Sequence, residues 1–339
     1  MWYATDDPDP TEDAWRKPGI GDKPYYGGDP FTAGINSTRG TAAGAIARLL
    51  FDKPDRFAAL EGAAHSLAVD RAVAVRSCAI AILIAMLNID TPKAIAWFKE
   101  CVAADPALLA THYVERFIYY AGYRDFASLQ SVIDGMLASG NSGVAESAGR
   151  QVCLLGLEVE QAAADVERVE KGAVGMRKAA AHVYATNISH KDVGAVCCKR
   201  LVQFFSDRDE SVRAQAAVAF NFISALDTPA EAELINAFLD ADPGRAALAY
   251  AIRPLEGSLV RLPDLVRRLV TKCIDSYRTE AGDISKKGAA VGADLAKIIV
   301  RLYTQTEDQA IKSQCLSLID DMERHHFLGI SEELQRLDR

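Results

Sequence analysis

The residues whose spacing most suggests chemistry lie near the C-terminus, in Asp320-Asp321-Met322-Glu323-Arg324-His325-His326. Asp321 and His325 are four apart and Glu323 and His326 three apart, so on a helix each carboxylate shares a face with an imidazole. One Glu-x-x-His is half of a carboxylate di-metal motif, which needs a second copy and two further glutamates. No second copy occurs in the sequence. Histidines at a helix C-terminus are favoured by the helix dipole alone. No metal, cofactor or catalytic residue is therefore expected.

A second cluster suits recognition better than catalysis. His112, Tyr113, Arg116, Phe117, Tyr119, Tyr120 and Tyr123 form the densest aromatic group, and aromatics beside an arginine are what interfaces use as anchors. A wide gap between packed helices uses the same residues. The exposure of Tyr119 and Tyr120 decides between the two, because adjacent positions on a helix cannot both face inward. His112, Arg116, Tyr119, Tyr120 and Tyr123 are candidate partner-binding residues, and Lys199 and Arg200 join them from a basic stretch. That stretch, Lys171 to Leu201, holds Lys171, Arg177, Lys178, Lys191, Lys199 and Arg200 against the single acid Asp192. With Arg261, Arg267, Arg268 and Lys272 it could line a concave surface for nucleic acid, although Glu256, Asp264, Asp275 and Glu280 interrupt the second patch. The net charge of −8 argues against a sequence-independent nucleic-acid binder, whose affinity comes mainly from neutralised phosphates. A protein partner is the better expectation.

The elements that position these residues are helices that repeat. Thr38-Arg39-Gly40-Thr41-Ala42-Ala43 returns as Val75-Arg76-Ser77-Cys78-Ala79-Ile80, as Met176-Arg177-Lys178-Ala179-Ala180-Ala181, as Val212-Arg213-Ala214-Gln215-Ala216-Ala217, and degraded as Ile311-Lys312-Ser313-Gln314-Cys315-Leu316. Weaker copies sit at Val144 to Gly149 and Val114 to Ile118. The step from Arg39 to Arg76 is 37 residues and that from Arg177 to Arg213 is 36, a period that marks a helical solenoid. In the fourth copy Val212, Ala216 and Ala219 share a face with Phe220 beside them, and small alanines let a neighbouring helix pair approach closely. Arg39, Arg76, Arg177, Arg213 and Lys312 then form a structural ladder, each reaching the acidic turn of an adjacent layer. Helices are expected over 38–51, 55–69, 71–88, 92–104, 108–121, 125–138, 142–168, 171–187, 191–206, 209–225, 229–239, 262–278, 287–304 and 307–325. In Asp90-Thr91-Pro92 and Asp227-Thr228-Pro229 a proline follows an N-cap, where its missing N–H costs nothing.

Asp207-Arg208-Asp209-Glu210-Ser211-Val212-Arg213-Ala214-Gln215-Ala216-Ala217 resembles the second-helix signature of HEAT repeats, and residues 70–83, 171–184 and 308–319 are weaker copies. The resemblance covers roughly residues 38–325 and implies an all-α fold, a right-handed α-solenoid of HEAT/armadillo-like helix pairs. Such arrays are scaffolds, adaptors and occasionally enzymes, so the activity does not follow from the fold. HEAT-like DNA glycosylases are the enzyme-class alternative, and a structural oligomerisation array is another. Residues Gly28 to Ala43 resemble the opening of the helical-repeat region at the C-terminal end of bacterial NACHT/STAND-type ATPases, some of which are anti-phage sensors. That likeness implies the sensor segment of a larger ATPase or of its oligomer. The chain has no GxxxxGK[ST]: in Gly19-Ile20-Gly21-Asp22-Lys23-Pro24 the spacing is wrong and a proline holds the hydroxyl position. Nucleotide hydrolysis is not implied.

Residues 1–37 read as an extended arm or linker, and 38–339 as the solenoid. The first thirty residues hold seven acids, Asp6, Asp7, Asp9, Glu12, Asp13, Asp22 and Asp29, and three Asp-Pro steps. They also carry Trp2, Tyr3, Trp15, Tyr25 and Tyr26, more aromatics than a disordered tail usually has. Seven cysteines without a CxxC suit reduced, buried thiols in the cytoplasm. The longest apolar run, Ser77 to Leu87, is too short to span a bilayer.

Overall fold

The computed structural model describes residues 5–19, 23–241, 243–283 and 285–337. Of the residues named above, Trp2, Tyr3, Ile20, Gly21 and Asp22 lie outside them. Among the described residues all regular structure is helical, apart from one isolated bridge between Pro18 and Pro24. No helix among them is long and apolar enough to cross a membrane. The chain divides into two compact units, Met1–Ala179 and Ala180–Arg339, so the arm belongs to the same unit as the first helices.

The first unit contains α1 (Pro30–Ile35), α2 (Thr38–Asp52), α3 (Phe57–Ala68), α4 (Val73–Met86), α5 (Thr91–Val102), α6 (His112–Leu137), α7 (Ser142–Leu155) and α8 (Ala163–Glu170). Side chains start several of them. Asp29 accepts from the N–H groups of Phe31 and Thr32, Ser37 from Gly40, and Asp90 from Lys93 with Pro92 behind it; each satisfies helix-start donors that have no partner inside the helix. α4 is apolar on almost every face, and a helix of that kind has to be enclosed. It packs against α1, α2, α3, α5 and α6, which explains the long apolar run. Gly34 of α1 sits so close to the Ala74 carbonyl and Cys78 of α4 that a Cβ there would overlap them.

α6 runs from His112 to Leu137, but Asp125 breaks it with φ −156° and ψ 77°. The Asp125 carboxylate caps the second half, accepting from Ser128 N–H at 3.0 Å. Two segments are thus present, in line with the separation of 108–121 from 125–138. The expected single helix over 142–168 is corrected to two, α7 and α8. Gly156 ends α7 tight against Val166, and the chain doubles back there so that α8 packs on α7.

The arm is pinned to α2. Asp9 accepts from Thr38 N–H through its side chain at 2.7 Å and from Arg39 N–H through its carbonyl at 3.1 Å. Trp15 packs in a small core with Ala33 and Ala74.

After α9 (Val174–Thr186), the second unit holds α10 (Gly194–Leu201), α11 (Glu210–Ala217), α12 (Pro229–Asp240), α13 (Arg245–Leu248), α14 (Ile252–Glu256), α15 (Pro263–Tyr277), α16 (Lys287–Gln305), α17 (Gln309–Arg324) and α18 (Ile330–Leu337). Phe205, Phe220 and Phe238 meet in its core with ring centroids 4.8 to 5.9 Å apart. Thr228 and Glu231 form a reciprocal capping box at the start of α12. α1, α13, α14 and α18 were not expected from the sequence. None exceeds eight residues, a length at which packing rather than intrinsic propensity decides.

Side-chain hydrogen bonds between successive elements recur at similar sequence separations within each unit. In the first they join Glu61 to Lys93, Asn88 to Arg124, Glu115 to Arg150, Gln130 to Asp165 and Asp134 to Arg168, at separations of 32 to 36 residues. In the second they join His182 to Gln215, Asp227 to Arg261 and Asn236 to Arg268, at 32 to 34.

The ladder residues divide by what they bond. Arg39 reaches Asp70 at the turn before α4. Arg76 instead donates to four carbonyls, those of Val69, Asp70, Glu100 and Cys101. Arg177 donates to Gly172 O at 2.6 Å and Arg213 to Asp207 O at 2.7 Å. Of the acids at these turns, Asp70, Glu100 and Asp207 offer backbone oxygens to Arg76 and Arg213. Lys312 lies 6.0 Å from the Tyr303 ring centroid.

Candidate functional site

α2, α4, the first half of α6 and α7 follow one another as packed neighbours, and one face of this row is an open groove. It consists of three connected hollows. The largest, about 340 Å³, is lined by α2 and α4 with Tyr113 and Arg116. A second of about 240 Å³ lies by Phe51, Ile84, Asn88, Tyr120 and Arg124. The third, about 190 Å³, lies by His112, Tyr119, Tyr120, Gln151 and Leu154. Arg116 lines all three.

The lining residues fall into rows that cross the helices. Gly44, Ala81, Arg116 and Gln151 form one row, Arg48, Ile84, Tyr120 and Leu154 the next, and Phe51, Asn88 and Arg124 the third. The numbers within each row advance by 34 to 37, so α2, α4 with the turn after it, and α6 present the same three positions to the groove, and α7 the first two of them.

Arg116 sits over two rings, its guanidinium 5.6 Å from the Tyr113 centroid and 5.9 Å from that of Tyr120, the range of a cation–π contact. Tyr119 packs edge-on against Tyr120 and Tyr123, at 5.3 and 5.0 Å. Burial, followed by the Tyr119 hydroxyl and Glu158, pushes the Tyr123 phenol above its ordinary range, which keeps it neutral. Tyr120 and Phe51 are exposed at 41 % and 53 %, whereas Phe117, one turn before Tyr120 on α6, is buried and stacks on Phe98 at 4.0 Å.

The charges are unbalanced. Elsewhere in this unit arginines hold carboxylates: Arg16 with Asp105 at 3.0 Å, Arg56 with Asp52 at 2.9 Å, Arg150 with Glu115 at 2.5 Å and Arg168 with Asp134 at 2.7 Å. Among the described residues no carboxylate pairs with Arg48, Arg116 or Arg124. Arg124 donates to the Asn88 amide oxygen at 2.6 Å. The acid within the groove, Glu115, is taken by Arg150. Gln151 is 7 % exposed and its Oε1 has no hydrogen-bond partner.

The structure therefore brings His112, Arg116, Tyr119, Tyr120 and Tyr123 onto one face of α6. Lys199 and Arg200 belong to α10 in the second unit, where Arg200 lies 5.8 Å from the Tyr184 centroid. In the second basic patch Arg261, Arg267 and Arg268 are each paired, with Asp227, Asp264 and Asp240. Arg48, Phe51, Arg124 and Gln151 were missed by sequence reasoning. Stepping by about 36 residues from Tyr120 and Arg116 would have found Arg48 and Gln151.

At the C-terminal histidines, His325 Nε2 lies 3.6 Å from Asp321. Among the described residues no group of three or more His, Cys, Asp and Glu gathers as a metal-ligand set. All seven cysteines are buried, and none is in a disulfide.

No protein-family model matches the chain, and no curated protein is significantly similar to it.

Proposed function

We propose that the chain is a non-catalytic recognition module, a right-handed α-solenoid of HEAT-like pairs that binds a protein partner through the α2–α4–α6–α7 groove. The observation that carries this reading is the set of three arginines without carboxylate partners in a groove walled by exposed Tyr120 and Phe51. Unpaired guanidinium groups beside exposed rings are the usual composition of an interface anchor, and ion pairs elsewhere in the unit show that acids were available to neutralise them. The crossing rows of lining residues and the hydrogen bonds at similar sequence separations support the solenoid. The likeness of residues 28–43 to the NACHT/STAND repeat region supports the narrower reading of a sensor segment in a bacterial anti-phage protein. The reduced, buried cysteines suit a cytoplasmic setting.

Affinity capture from bacterial lysate, uninfected and phage-infected, tests the reading with wild type beside an Arg116→Glu/Tyr120→Ala variant. The expected outcome is a protein retained by wild type and lost by the variant, with nuclease treatment making no difference. The same proteins on both baits, or nuclease-sensitive and salt-labile material, would turn the reading down in favour of a scaffold or a nucleic-acid solenoid.

A further inference from the structure

We infer that the groove takes an extended acidic peptide segment bearing a large apolar side chain. Its carboxylates would meet Arg48, Arg116 and Arg124, and its apolar residue would lie over Gly44. The inference rests on the groove being a recognition site and adds the chemistry of the occupant.

Charge complementarity comes first. The chain is acidic overall, at −8, yet this face holds three guanidinium groups with no carboxylate on them and one acid already committed to Arg150. An anionic occupant removes that imbalance, and Arg matches a carboxylate with two parallel N–H donors.

Shape comes second. Arg48 lies on α2 and Arg116 on α6, with α4 between them. Two helix-to-helix steps of about 8–10 Å each give a span of about 16–20 Å. An extended chain rises about 3.3 Å per residue, so five or six residues bridge the two arginines.

The floor decides between peptide and nucleic acid. Ile35, Ala47, Phe51, Ala81 and Ile84 line the largest hollow. They offer no donor to a sugar–phosphate backbone but suit a Leu- or Phe-sized side chain. Gly44 is the opening in that floor: a Cβ built there meets no heavy atom within 4 Å. At the far end the buried Gln151 amide, lacking a partner for its oxygen, suits a ligand main-chain N–H, since an unpaired buried acceptor is costly.

The test pans a phage-displayed library of random dodecapeptides on the full chain. Synthetic copies of the enriched sequences are then measured by fluorescence anisotropy. The expected peptides carry two or more acids and one large apolar residue within six positions. Their binding weakens tenfold or more in Arg48→Glu, Arg116→Glu and Gly44→Leu, and is unchanged in Arg168→Glu, which alters the same charge outside the groove. Arg48 and Arg116 are exposed and the Gly44 side chain would enter open space, so circular dichroism should show all variants folded. Enriched peptides of neutral or basic composition that still need Arg116 would overturn the acidic ligand and leave the groove a recognition site. No Arg116-dependent peptide at all, or displacement of bound peptide by the oligonucleotide dT12, would overturn both.

Discussion

Arg39 grips both carboxylate oxygens of Asp70, with Nε 2.9 Å from Oδ2 and Nη2 3.0 Å from Oδ1. The arginine side chain is 2 % exposed and the aspartate 8 %. The same guanidinium donates to the carbonyls of Asp7 and Pro10, so one side chain ties the arm, α2 and the turn before α4 together. Removing one partner of a buried pair leaves an uncompensated charge. Arg39→Ala should therefore destabilise the first unit by about 3–5 kcal/mol and release the arm to proteases. Arg213→Ala, which loses a bond to one carbonyl, should cost only about 1–2 kcal/mol. Urea unfolding of both variants checks the contrast, and equal losses would mean that Arg39–Asp70 behaves as a surface pair.

Small residues mark where helices touch. Ala216 of α11 is fully buried, and Gly34 has the Ala74 carbonyl against it. Ala216→Leu and Gly34→Ala should each overpack their contact at about 1–3 kcal/mol. An unchanged melting temperature for Ala216→Leu would show that this face of α11 is not a packed seam.

How much of this was legible in the sequence follows from where each signal is written. The helical class was legible because its signals are local: Arg39, Arg76 and Arg213 each follow a turn and lead into small, apolar helical stretches. Helix starts at Asp90, Asp209 and Thr228 were legible because their capping residues are adjacent in the chain. The α7–α8 break was not, since Gly156 ends the helix through its contact with Val166 across the turn. The groove was legible only in part. His112 to Tyr123 stand out because one helix carries them all. Arg48, Arg124 and Gln151 have no local company, and their companions lie sideways on other helices. The bonding of the ladder arginines was not legible: Arg39 holds the Asp70 carboxylate together with two carbonyls of the arm, and Arg76 holds four carbonyls, partners that lie on other segments of the chain.

The buried and the groove-lining rings of α6 should separate cleanly by mutation. Phe117 is fully buried and stacked on Phe98, so Phe117→Ala should cost about 3–5 kcal/mol through lost burial and the cavity left behind. Tyr120, one turn along and facing the groove, should tolerate Tyr120→Ala within about 0.5 kcal/mol while losing ligand. Paired unfolding and binding curves read both. A large stability loss in Tyr120→Ala would make the aromatic cluster a packing device.

The cysteines should report alkaline pH. Burial pushes the thiols of Cys78, Cys101, Cys197 and Cys273 from 9.0 up to about 12, and those of Cys198 and Cys315 up to about 11. Below pH 9 both folded and unfolded chains keep these protons, so stability does not depend on them. Between pH 9 and the raised values the unfolded chain has released them while the folded chain has not. The unfolded state is then favoured, and stability falls as pH rises. Cys101 and Cys273, the most enclosed, should each contribute a loss approaching about 1.4 kcal/mol per pH unit in that window. Denaturation midpoints from pH 8 to 11 should decline accordingly, and a Cys101→Ala/Cys273→Ala variant should decline less steeply, which separates the thiols from lysines and tyrosines that titrate in the same range. At pH 8 a thiol-specific disulfide reagent should leave the native chain unlabelled and modify all seven cysteines once it is denatured. Rapid labelling of the native chain, or parallel pH slopes for the two proteins, would show that these thiols are open to solvent.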